Sequence, residues 1–234
     1  KESKDIILLS PTGSGKTLAF LLPLISTLKS NSEDVQAIIL APSRELAMQI
    51  NSVFKEINSQ FTSVCCYGGR PTMEEHKTIK SVKPSVIIGT PGRVLDHINK
   101  GNFNTEGIDT LIIDEFDKSL EFGFHDEMKE IINNLPNIKK RVLTSATEAE
   151  EIPEFTGLNK VITLNFLEKS EGDTERLNLF RVNSPEKDKL ETLYKLLCTV
   201  GDKQTIVFCN HRESVERVDK FLKSKKLTTS IFHG

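Results

Sequence analysis

The chain has 234 residues, of which 37% are hydrophobic and 27% charged, with 31 basic side chains against 33 acidic ones. That length suits one full domain plus part of a second, with enough apolar material for a real core. A net charge of −2 excludes a polybasic binder that works by bulk phosphate neutralisation, so any nucleic-acid site must be local.

In chain order, short apolar runs at 6–9, 37–41, 64–67, 86–89, 110–113, 142–144 and 161–164 read as strands. Several are continuously apolar, as in a parallel sheet buried on both faces. Amphipathic stretches lie between them. Leu18, Leu21, Leu22, Ile25 and Leu28 form one stripe, in which Pro23 is expected to kink the helix. Leu46, Ile50, Val53, Phe54 and Ile57 form a second, and Met128, Ile131, Ile132 and Leu135 a third. Phe122 and Phe124 are expected in the core. The alternation predicts a doubly wound α/β domain over 1–166. A polar stretch at 167–176 reads as a linker. Beyond it, over 177–234, the alternation restarts, with strands at 177–182, 205–209 and 228–232 and helices at 186–197 and 213–223.

Four cysteines, Cys65, Cys66, Cys198 and Cys209, lack C-x-x-C spacing and read as free thiols in a reducing, cytoplasmic setting. No apolar run approaches membrane-spanning length, and residues 1–5 do not resemble a signal peptide, so no membrane association is expected.

The first strand runs into Ser10-Pro11-Thr12-Gly13-Ser14-Gly15-Lys16-Thr17, which opens a helix. The glycines let backbone amides wrap phosphate oxygens, and the helix N-terminus adds partial positive charge. Lys16 should reach the β- and γ-phosphates of ATP, and Thr17 should offer its hydroxyl to Mg²⁺. A glycine-rich surface turn is the plainer alternative, and the strand before and helix after argue against it.

A second apolar strand delivers Asp114 and Glu115. Asp114 would hold Mg²⁺ through water, and Glu115 would orient and deprotonate the attacking water. Alone, such a pair fits a solvated turn equally well. On one sheet with the phosphate loop, it reads as the other half of an ATP·Mg²⁺ site.

With these motifs placed, the chain resembles the DEAD-box RNA helicases over essentially its whole length. Asp114-Glu115-Phe116-Asp117 is similar to the name-giving motif, with phenylalanine in the alanine position. Ala41-Pro42-Ser43-Arg44-Glu45-Leu46-Ala47 resembles P-T-R-E-L-A. Gly68-Gly69 matches the double glycine, Thr90-Pro91-Gly92-Arg93 matches T-P-G-R, and Ser145-Ala146-Thr147 matches S-A-T. Ile206-Val207-Phe208-Cys209-Asn210 resembles the first motif of a second RecA-like domain.

The resemblance implies a RecA-like first domain, part of a second one, and ATP-driven local unwinding of short RNA duplexes or remodelling of RNA–protein complexes. It implies that Pro42, Arg44, Gly68, Gly69, Thr90, Pro91, Gly92 and Arg93 grip one RNA strand by its backbone. Arginine charge, glycine close approach and a hydroxyl suit that task. Asp117, Ser145 and Thr147 would couple ATP state to strand separation, with Asp117 the expected partner of the hydroxyls. Taken singly, the glycines fit plain turns, Arg44 could pair with Glu45, and Ser145 and Thr147 could cap a helix. An ATP-gated RNA clamp and a DNA helicase or translocase are the alternative functions. The family's adenine-reading glutamine and its arginine motif fall outside this sequence, so the fragment alone is expected to hydrolyse ATP weakly or not at all.

Overall fold

A computed structural model describes residues 4–57, 60–69, 71–147, 152–167 and 178–233. The chain divides into two units, Lys1–Lys169 and Ser170–Gly234.

The first unit is built on seven parallel strands: β1 Ile6–Leu9, β2 Ala37–Leu40, β3 Ser63–Cys66, β4 Val86–Gly89, β5 Thr110–Ile113, β6 Lys140–Ser145 and β7 Ile162–Asn165. Their order across the sheet is β3-β4-β2-β5-β6-β1-β7. Each crossover carries a helix or turn: α1 Lys16–Thr27, α2 Arg44–Ile57, α3 Thr72–Val82, α4 Pro91–Asn99, α5 Phe116–Glu121 and α6 His125–Asn133.

Period-two alternation divides the central strands between two apolar layers. Ile38, Leu40, Ile87, Leu111, Ile113 and Leu143 face α4 and α6, meeting Val94, Ile98, Met128 and Ile131. Ala37, Ile39, Val86, Ile88, Ile112 and Val142 face α1 and α2, meeting Phe20, Leu21, Leu24, Ile50 and Phe54. Burial on both faces is why these strands read as unbroken apolar runs. Because the strands are all parallel, their carboxyl ends share one edge, where open α/β sheets place their ligand sites.

At the opposite edge Asp5, just ahead of β1, is 2% exposed. Its carboxylate accepts the backbone N–H of Arg141 and of Asn159, both at 2.7 Å, and lies 3.6 Å from the Arg141 guanidinium. One buried charge thereby joins β1, β6 and the turn before β7.

Some expectations shift. β3 begins and ends one residue earlier than predicted, leaving Tyr67 beyond the strand. Pro23 lies inside α1, at the position where the kink is expected. Phe122 is a correction: it is 59% exposed, because it lies in the turn after α5 rather than on a face toward the sheet. Phe124 does pack against the core, and Phe116 is buried at 2% within the α4–α6 layer.

The second unit contains α7 Leu190–Val200 and α8 Arg212–Ser224. The strands expected at 177–182, 205–209 and 228–232 do not form among the described residues; Leu177 lies outside them. A strand is held by ladder partners on its neighbours, and among the described residues these segments have none. Phe180, Ile206, Phe208 and Phe232 are accordingly exposed, from 79% to 100%. Apart from Leu167, the expected linker lies outside the described residues.

Candidate functional site

The phosphate loop leaves β1 with Ser10 N–H bonded to the Ser145 carbonyl at 3.0 Å. Gly13 and Gly15 have φ of +79° and +91°, and no atom lies within 4 Å of where a Cβ would stand. Glycine is needed here for its left-handed backbone, not for space. Ser10 sits where the general motif has glycine, and its hydroxyl donates to Ser14 Oγ at 2.6 Å, bracing the loop. The Lys16 ammonium donates to the carbonyls of Ser10 and Pro11, at 2.7 and 2.9 Å, so it lies folded along its own loop. Thr17 follows it in the first turn of α1.

β5 ends at Ile113, and Asp114, the next residue, is 5% exposed. Thr144 on the neighbouring β6 joins the two acids: its hydroxyl donates to Asp114 Oδ1 at 2.5 Å and accepts the Glu115 N–H at 3.1 Å. Glu115 has φ of +47°, a left-handed geometry unusual for a side-chain-bearing residue. Burial raises the pKa of Asp114 above its ordinary value, and the Thr144 bond and Lys16 charge oppose it. Glu115 is also raised, first by burial and then by the Asp114 charge. Asp117 Oδ2 accepts from Thr147 Oγ1 at 2.8 Å, the partner expected from sequence. Asp117 Oδ1 is buried with no partner among the described residues. Ser145 instead turns to Thr147, donating to its carbonyl at 2.6 Å and accepting its N–H at 3.0 Å.

Three carboxylates thus crowd one ammonium and several hydroxyls. A hard cation with oxygen ligands fits that donor set, and Asp117 Oδ1 leaves an acceptor uncommitted.

The remaining motifs lie along the same edge, after β2, β3 and β4. Arg44 opens α2 with a side chain 57% exposed, and its loose 3.9 Å approach to exposed Glu45 leaves the guanidinium at the surface. That guanidinium lies 5.5 Å from the Tyr67 ring centroid, and a Cβ on Gly69 would stand 3.7 Å from its Nη1. The Arg44 and double-glycine segments therefore meet. Pro42 is buried at the β2 end. Thr90 precedes α4 without using its hydroxyl as a cap, and Pro91 takes the first helical position. Gly68 and Gly92 face open space in ordinary backbone conformations, so the fold itself does not demand glycine at either. Arg93 differs from Arg44. Only 12% of its side chain is exposed, and it is engaged with Glu75 at 3.4 Å.

Four contributors escaped the sequence reading. Thr144 carried a faint signal, a hydroxyl closing an apolar strand beside the acid loop. Gly89 is sterically required, since a Cβ there would stand 2.2 Å from the Cys66 carbonyl oxygen and 2.8 Å from Val94. Glu75 and His97 are buried on helices whose sequence offers no cue that their polar groups turn inward.

Comparison with known proteins agrees with this geometry. The sequence profile described as "DEAD/DEAH box helicase" matches residues 1–155. The chain is 33% identical to the DEAD-box ATP-dependent RNA helicase RhpA of Helicobacter pylori, covering all of this chain and 48% of that protein. It is 36% identical to the ATP-dependent RNA helicase eIF4A of Mycosarcoma maydis, covering 98% and 57% respectively. It spans about half the length of these curated relatives. Among solved structures it is similar to S. cerevisiae Dbp5 bound to RNA and ADP BeF3, with TM-score 0.76, 28% identity and coverage of 99% of this chain and 59% of that one. A phosphate loop, an acid loop and a hydroxyl loop on one parallel-sheet edge, within a sequence that this profile matches over most of its length, have a single account: the chain belongs to the DEAD/DEAH box helicase family.

Proposed function

We propose that this chain forms the nucleotide- and RNA-binding part of an ATP-dependent RNA helicase that separates short duplexes locally or remodels RNA–protein complexes. The observation that carries this reading is the continuous hydrogen-bonded path along one sheet edge, from the phosphate loop through Ser145 and Thr147 to Asp117, and from Thr144 to Asp114. The relative solved with RNA and a nucleotide analogue supports the same pairing of ligands.

In this reading Lys16 exchanges the Ser10 and Pro11 carbonyls for phosphate oxygens of ATP, while amides of 12–17 and the α1 N-terminus hold the polyphosphate. Thr17, Asp114 and Glu115 would hold Mg²⁺, which supplies charge neutralisation at the phosphates when bound. Glu115 orients the attacking water and accepts its proton. Pro42, Arg44, Gly68, Gly69, Thr90, Pro91, Gly92 and Arg93 form the RNA side. Exposed Arg44 is the group placed for phosphate contact, and the two unconstrained glycines allow backbone approach. Asp117, Thr147 and Ser145 link the nucleotide side to β6. A reducing, cytoplasmic location belongs to the same reading, with the cysteines kept as thiols.

The test is ATP hydrolysis by the intact protein with and without single-stranded RNA, against DNA of equal length. RNA-stimulated turnover that disappears in Lys16→Ala and Glu115→Gln is expected. Turnover indifferent to RNA, or driven equally by DNA, would refute the reading.

A further inference from the structure

Apart from the phosphate and acid loops, buried charge concentrates on the Glu75 carboxylate of α3, whose side chain is 5% exposed. Donors converge on it from two other segments. Tyr67 N–H donates to Oε1 at 3.2 Å, while His97 Nε2 and Arg93 Nε lie 2.8 and 3.4 Å from Oε2. The His97 ring is fully buried, and Asn102 Nδ2 lies 2.7 Å from its Nδ1. An amide donating there leaves the ring proton on Nε2, so His97 donates to Glu75 and fixes its orientation. Arg93 is further tied to the Tyr67 carbonyl at 3.3 Å and to the Thr72 hydroxyl.

Tyr67 precedes the double glycine, and Arg93 ends the Thr90-Pro91-Gly92-Arg93 segment. We propose that Glu75 is a positioning residue for RNA binding, holding these two backbone segments in one fixed relation, with His97 keeping its carboxylate aimed. This rests on the reading of both segments as RNA contacts. Cys66, Glu75 and His97 also place donor atoms within 4.8 Å of one another. The Arg93 guanidinium already takes a cation's place on that carboxylate, and burial pushes the Cys66 thiol up, so the cluster is an ion-pair hub rather than a metal centre.

The proposal predicts a sign. A carboxylate acting only by its charge repels RNA phosphates, so removing that charge would tighten binding. A carboxylate that holds two gripping segments in register weakens binding when removed. Glu75→Gln can still accept the Tyr67 N–H, but its amide nitrogen faces the donors of Arg93 and His97.

The experiment measures the affinity of this chain for a fluorescein-labelled single-stranded oligouridylate, with Mg²⁺ and a non-hydrolysable ATP analogue, alongside affinity for that analogue. Glu75→Gln should weaken RNA binding about tenfold with nucleotide affinity unchanged. Arg93→Gln should do the same, and the double variant should be no weaker than the weaker single variant. Glu75→Asp keeps the charge, shortens the reach and should also weaken RNA binding, which provides a reading should Glu75→Gln fail to fold. Arg44→Ala tests the underlying RNA reading separately. If Arg44→Ala weakens binding while Glu75→Gln leaves it unchanged or tighter, the positioning role is wrong and the RNA reading stands. Losses that multiply in the double variant, or a parallel fall in nucleotide affinity, overturn the role as well. A wild-type chain that does not bind the oligouridylate removes both.

Discussion

Replacing Thr144 by valine removes one hydroxyl from a fully buried strand position while nearly preserving shape. That hydroxyl donates to the Asp114 carboxylate and accepts the Glu115 N–H. A hydrogen bond to a charged group contributes about 1.5–3 kcal/mol, and a buried donor left without a partner costs about 1–3 kcal/mol. Valine's added apolar burial returns about 1 kcal/mol, leaving a net loss of about 2 kcal/mol. The loss should depend on pH. Burial raises the folded pKa of Asp114, so this group favours the fold below its unfolded pKa, an advantage lost as pH rises through the folded value. Thr144 opposes that shift by stabilising the charged form. Thr144→Val should therefore cost most where Asp114 is ionised and least in acid. Urea unfolding followed by circular dichroism, at pH 8 and at steps down into the ordinary carboxylate range, reads both quantities. A cost that does not fall across that series, or one below about 0.5 kcal/mol at pH 8, would refute the assigned role of this hydroxyl.

Other substitutions follow the same reasoning. Asp114→Asn removes a charge that burial penalises, so it should stabilise the fold at pH 8 by about 1 kcal/mol while abolishing Mg²⁺-dependent binding of a fluorescent ATP analogue. Asp5→Ala strips two backbone N–H groups and Arg141 of their buried acceptor, and should cost about 3 kcal/mol by urea unfolding. Gly89→Ala forces a methyl against the Cys66 carbonyl and should cost about 3 kcal/mol or more, read as a fall in soluble yield and melting temperature. Lys16→Ala should reduce affinity for the fluorescent ATP analogue by about tenfold or more without lowering the melting temperature, because removing a buried ammonium relieves desolvation that offsets its bonds to the Ser10 and Pro11 carbonyls.

The sheet was legible because its central strands are buried on both faces and its outer ones keep apolar runs. Ile6–Leu9, Val86–Gly89 and Thr110–Ile113 appear at the residues their apolar runs mark out. The phosphate and acid loops were legible because their chemistry is compressed into consecutive residues. What the sequence concealed is chemistry shared across strands and helices. Thr144 meets Asp114 from 30 positions away, and His97 meets Glu75 from 22. Nothing local distinguishes an inward glutamate on α3 from its solvated neighbour Glu74. The second unit failed differently. The apolar runs at 205–209 and 228–232 have strand-like patterns, but pattern alone supplies no ladder partner.

Thr147 offers the sharpest check on how burial sets energy at this site, because it repeats the chemistry of Thr144 three residues later. Both are hydroxyl donors to a carboxylate of the Asp114–Asp117 loop, at 2.5 Å for Thr144 and 2.8 Å for Thr147. Thr144 is fully buried, whereas Thr147 is exposed. Water can replace the lost partner at Thr147 but not at Thr144. Thr147→Val should therefore cost less than about 0.5 kcal/mol of stability, several-fold below Thr144→Val, at every pH tested. If the two substitutions cost the same, desolvation does not govern the acid loop. The contrast also fits the roles proposed for the pair. If the Thr147–Asp117 bond couples nucleotide state to strand separation as proposed, it has to be cheap to open, whereas the bond that holds Asp114 in place does not.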